Sequence, residues 1–137
     1  MAARKEGNPL WGLRMAHFGP CHLIFQHYVL AKRRFLNALT KEAAADEFFA
    51  YGHLWMALLY VTVEGFLELK IDNPEIGSLL GEQHLVDLKL FRNSVFHPQK
   101  SFNKRERMHE MEKLNWAQDL HTAFADFFAS QDKVPDA

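Results

Sequence analysis

Three polar side chains close a greasy stretch of this chain: Arg92 and Asn93, then His97, in Leu88-Lys89-Leu90-Phe91-Arg92-Asn93-Ser94-Val95-Phe96-His97-Pro98-Gln99. A guanidinium can hold two oxygens of an anion in a fork, and an imidazole exchanges protons near neutral pH. On a helix turning about 100° per residue, Asn93 and His97 lie roughly 40° apart, and the long stem of Arg92 reaches toward the same place. The three can converge on one small anion.

Helical elements must position them. Leu85, Leu88, Val95 and Phe96 recur at helical spacing, so residues 82–97 are expected to form a helix with Arg92 in its apolar seam. Pro98 pushes the residue before it out of the α region, which ends that helix at His97. A long helix over residues 43–69, about 40 Å at 1.5 Å per residue, is the expected central strut. Its Phe48, Tyr51, Trp55, Leu58, Leu59, Thr62, Phe66 and Leu69 make a broad apolar face. Gly65 in that helix implies close packing, and Glu64 is a candidate to face Arg92 across the bundle. Gly19-Pro20 opens a first helix to about residue 39, with a stripe of Ile24, Tyr28, Ala31, Phe35 and Leu39. The Lys32-Arg33-Arg34 run reads as its solvated end. A short helical turn over 74–80 follows Asp72-Asn73-Pro74. Asn103-Lys104-Arg105-Glu106 has the form of an N-cap, opening a last helix to about residue 130. Its expected stripe is Met108, Met111, Asn115, Gln118, Phe124, Phe127 and Phe128, with Asp119, His121 and Thr122 as polar surface. The fold class expected is all-α: an antiparallel bundle of four main helices plus a short helix over residues 20–130, with a loose arm over 1–19 and a frayed tail over 131–137.

Composition limits the function classes. The 137 residues are 48% hydrophobic with twelve Phe, enough for one core with apolar surface left over for a partner. A formal charge of −1 argues against coating nucleic acid by bulk electrostatics, so any such contact must be local. The single cysteine, Cys21, rules out an internal disulfide and fits a reducing compartment. No signal-like N-terminus is evident, and the longest apolar run, 55–63, is far short of the roughly 20 residues that span a bilayer. A soluble, cytoplasmic protein is expected. His17, Cys21, His22 and His27 do not complete a tetrahedral metal set. Glu106-x-x-His109 is one copy of a di-iron element that needs two. Cys21 has no nearby base in a helix-stable arrangement and shows no sign of activation as a nucleophile.

Arg92-Asn93 followed by three residues and His97 resembles the Arg-x4-His motif of the HEPN superfamily, in which a polar residue often follows the Arg. The resemblance implies a small all-α domain paired as a homodimer, and a metal-independent endoribonuclease in a toxin, antiphage or RNA-processing role. It implies no cofactor, and RNA as substrate, with an antitoxin or regulatory protein as a further partner. The helical context of Val61-Thr62-Val63-Glu64-Gly65-Phe66 is similar to the corresponding helix of some bacterial members. One departure is Gln99, where toxins paired with a nucleotidyltransferase carry a modified Tyr; that form of regulation is not carried over.

RNA brings its own nucleophile, the 2′-hydroxyl, so the protein must supply a proton acceptor, a proton donor and positive charge. His97 suits proton transfer, Arg92 the phosphate oxygens, and Asn93 the orientation of either; Glu64 is a possible support. One chain offers one such His, and a homodimer would set two motifs face to face. Lys100, Lys104, Arg105 and Arg107 follow directly and would guide RNA to that cleft. A non-catalytic nucleotide- or RNA-binding module, and a structural helical dimer or adaptor, are the alternatives.

Overall fold

A computed structural model describes residues 8–96 and 115–132. Every element among them is helical. In chain order they are α1 (Pro9–Gly12), a π segment (Leu13–Phe18), α2 (Gly19–Asn37), α3 (Lys41–Glu68), α4 (Pro74–Leu79), α5 (Glu82–Phe96) and α6 (Asn115–Asp132). The all-α fold class expected from periodicity is the one observed. No described helix is long and apolar enough to cross a membrane.

The loose arm expected over residues 1–19 is corrected over its described part. Asn8 accepts from the Leu10 N–H and caps α1, with Pro9 in the first turn, where its missing N–H costs nothing. The chain then runs without a break through the π segment into α2. Leu13 and Phe18 are buried, and that apolar burial holds the arm down. Gly19-Pro20 does not stop the helix. Pro20 has no N–H to continue an α ladder, and the backbone passes it by widening, with the Gly19 N–H donating to the Arg14 carbonyl five residues back.

Helix α2 ends at Asn37, and Leu39 is fully exposed rather than part of the buried stripe. Lys41 closes the corner to α3, its Nζ donating to the carbonyls of Phe35 at 2.7 Å and Leu36 at 3.0 Å. A cation on the last carbonyls of a helix is favourable. Arg34 in the basic run pairs with Glu47 across the same corner. Helix α3 then runs back along α2 and supplies the middle of the core, with Trp55, Met56, Leu59, Val63 and Phe66 buried. At its end Lys70 adopts φ 52°, and the Ile71 N–H returns to the Phe66 carbonyl, the left-handed exit that stops a helix.

Helix α5 packs on α3 through Leu88 and Phe91. Helix α6 closes the other side, burying Ala117, Leu120, His121, Ala123, Phe124 and Phe128. Asn115 is exposed, and Gln118 and Phe127 are half-buried, so the buried stripe is displaced from the one expected. The α6 expectation over 103–114 lies outside the described residues. Trp116 ties the start of α6 to its neighbours: its Nε1 donates to the Leu79 carbonyl at 2.6 Å and its ring stacks on His84.

Gly65 marks the closest approach of the N-terminal arm to α3. A Cβ there would stand 2.4 Å from Leu13 Cδ1, and Leu13 is buried with little room to move. Gly65→Ala gains about 1 kcal/mol of helix propensity but overpacks this contact at about 1–3 kcal/mol. Urea unfolding should show net destabilisation in the parent background, and a neutral or stabilising effect once Leu13→Ala has made space.

Candidate functional site

Arg92 and Asn93 lie in the last turns of α5, and both side chains are half-buried. Arg92 is held on three sides. Its Nη1 donates to Glu64 Oε1 of α3 at 3.0 Å. Its Nε and Nη2 point at Asn93 Oδ1, at 3.4 and 3.2 Å. Its guanidinium carbon lies 5.0 Å from the centre of the Tyr60 ring, within cation–π range. Tyr60 and Glu64 are one turn apart on α3, so a single helix face presents both the ring and the carboxylate.

A guanidinium has five N–H donors, and these contacts engage one each on Nε, Nη1 and Nη2. Among the described residues one N–H on each Nη is left over for an incoming oxygen. The pairing of Glu64 with Arg92, which spacing alone left open, is therefore present, and Asn93 contacts the Arg. Val86 and Leu90 are exposed on α5. On a helical wheel they fall within about 60° of Asn93, so the polar end of α5 continues an apolar strip. His97 and the basic residues Lys100, Lys104, Arg105 and Arg107 lie outside the described residues.

A second constellation sits in the core, where the sequence reading placed none. His121, expected as polar surface beside Asp119 and Thr122, is 1% exposed; Asp119 and Thr122 are exposed as expected. The missed signal was in the spacing: Ala117, Leu120, His121, Phe124 and Phe128 form one helical stripe. The His121 ring packs between Phe25, at 4.1 Å between centroids, and Phe18, at 5.2 Å. Trp55 Nε1 donates to its Nδ1 at 3.1 Å, and its Nε2 faces His22 Nδ1 at 3.0 Å. Burial, with a smaller contribution from the charge of His22, lowers the His121 pKa to about 3.

Cys21 Sγ lies 3.8 Å from His121 Nδ1 and 3.9 Å from the Trp55 carbonyl. A base is near after all, but burial pushes the thiol far up, outweighing a hydrogen bond with Thr62. The sulfur is a core packing group, not a nucleophile. Among the described residues no group of three or more His, Cys, Asp or Glu is arranged to hold a metal ion.

No family model, curated protein or solved structure matches the chain.

Two measurements check this geometry. Cys21 in the native protein should react with an aromatic disulfide reagent orders of magnitude more slowly than in urea, at a rate set by opening of the core. Glu64→Gln should change unfolding stability by less than about 1 kcal/mol, because both partners of the ion pair are partly exposed to solvent.

Proposed function

We propose that this protein is a metal-independent endoribonuclease of HEPN type, acting as a homodimer. The observation that supports it best is the setting of Arg92. Three neighbours restrain its guanidinium at the end of α5, yet among the described residues two N–H groups have no partner and part of the side chain is exposed. A pre-oriented fork of this kind suits the equatorial oxygens of a phosphoryl transition state, which gain charge as the 2′-hydroxyl attacks. The Tyr60 face and the Asn93 oxygen leave the guanidinium few ways to turn, so little ordering is left for substrate to impose.

Proton transfer is assigned to His97, four residues beyond Asn93 in sequence. It takes the 2′-hydroxyl proton or gives one to the leaving 5′-oxygen, and a second copy of the chain supplies the complementary His. The strip of Val86 and Leu90 leading to Asn93 supports a second copy of α5 as its cover. Glu64 buttresses Arg92 and partly offsets its charge. A phosphate therefore competes with this carboxylate, which is exposed enough to swing aside.

The test is cleavage of a mixed tRNA and mRNA pool by purified protein in excess EDTA, with the product ends analysed. The parent should leave 2′,3′-cyclic phosphate or 3′-phosphate ends. His97→Ala and Arg92→Ala should each lower cleavage at least about 100-fold while remaining folded. Cleavage that survives loss of either residue removes the site from the reaction. A folded parent dimer that binds nucleotide tightly and cuts nothing points to a non-catalytic binding module instead.

A further inference from the structure

One hydrogen-bonded line joins α3, α6 and α2 through the core. It runs from Trp55 Nε1 to His121 Nδ1 at 3.1 Å, from His121 Nε2 to His22 Nδ1 at 3.0 Å, and on to the Gln26 amide at 3.4 Å from His22 Nε2. An indole N–H can only donate, so His121 Nδ1 is bare and its hydrogen sits on Nε2. That hydrogen needs a bare Nδ1 on His22, whose own hydrogen then sits on Nε2, on the side of the exposed Gln26 amide, which accepts it by turning its oxygen inward. Every position between the rings is filled once.

We propose that the Trp55–His121–His22 line is an acid-released latch: it clamps α6 to α2 and α3 when both imidazoles are neutral, and one added proton frees α6. The line has no place for that proton. On His22 Nδ1 it would face the His121 N–H across 3.0 Å. On His121 Nδ1 it would face the indole N–H across 3.1 Å. Sliding the shared hydrogen from one imidazole to the other moves the conflict along the line without removing it.

The surroundings offer no compensation. The groups facing the pair are Cys21 and Phe25 from α2, Phe18 from the π segment, and Trp55 from α3, with Thr62 of α3 behind the thiol. The thiol stays protonated, and Gln26 on the solvent side is neutral. Among the described residues no carboxylate bonds either imidazole. Both bonds of His121 leave α6 for another helix, so opening them strains α6 first. By contrast, α2 and α3 are joined by a short corner and keep their own ring contacts, Phe25 and Tyr28 with Trp55.

The direction follows from linkage. His121 titrates near 3 when α6 is docked and near the ordinary 6.5 once it is released into water. The released state therefore binds more protons between those values, and docking, fully present above about 6.5, weakens as pH falls below it. Opening of α6 should grow about fivefold over the first pH unit below 6.5 and about tenfold over the next.

This inference does not rest on the ribonuclease reading and is tested without RNA. Amide hydrogen exchange of the full chain is followed by mass spectrometry at pH 7.5, 6.5 and 5.5, with rates corrected for the intrinsic pH dependence. Protection of residues 117–130 should fall about fivefold from pH 6.5 to 5.5, while residues 55–63 keep theirs. His121→Asn, which keeps an acceptor for the indole but does not titrate, should abolish the fall. Trp55→Phe, which removes the opposing N–H, should reduce it to less than about threefold and provides a second check if the Asn variant folds poorly. Unchanged protection across this pH range would overturn the latch, as would a fall that persists in both variants. So would simultaneous loss of protection in α3 and α6.

Discussion

The indole N–H of Trp55 is buried with one acceptor, and the way that demand is met shapes the core. A buried donor without a partner costs about 1–3 kcal/mol. His121 Nδ1 satisfies it, which fixes the tautomer of His121 and makes its other nitrogen a donor that His22 accepts. One polar demand is thus handed across three helices, from α3 through α6 to α2, and ends at the half-buried edge. Phe18, Phe25, Phe124 and Phe128 fill the space around it. An apolar core of this size could be packed in several registers; a hydrogen-bonded line of fixed direction favours one of them.

The two polar constellations occupy different dielectric settings, and they suit different work. The Arg92 cluster stands at the solvent edge of α3 and α5, where charges are screened and an ion pair contributes little to stability. Its three restraints orient a cation and leave donors to spare. The His121 cluster lies inside, where the same atoms in the charged state are expensive. Its hydrogen bonds are saturated, so it is suited to holding helices together rather than to meeting a ligand. Cys21 illustrates the difference: a base 3.8 Å away does not activate a thiol that burial keeps protonated.

The N-terminal arm connects the two. Leu13 presses on Gly65, the residue after Glu64, so the same turn of α3 accepts the arm on one side and presents the carboxylate to Arg92 on another. The π segment makes this possible. By widening ahead of Pro20 it lets Phe18 and Cys21 reach the core and His22 its edge.

The helical class, the long central helix, the stop after residue 69 and the place of Arg92 and Asn93 in a helix packed on α3 were legible in the sequence, because apolar periodicity and Pro/Gly punctuation act within a few residues. The pairing of Glu64 with Arg92 could be suspected but not decided, since a half-turn of rotation in either helix would separate them. The burial of Leu13 and Phe18 was not legible: Gly12, Gly19 and Pro20 read locally as a broken arm, and only contact with α3 makes the helical path favourable. The fate of His121 was hidden for a related reason. Its polar type suggested solvent, whereas its stripe with Ala117, Leu120, Phe124 and Phe128 pointed inward, and the acceptor role that permits its burial depends on an indole 66 residues away. Spacing along the chain sets which side chains share a face; which donor meets which acceptor is decided by the packing of helices distant in sequence.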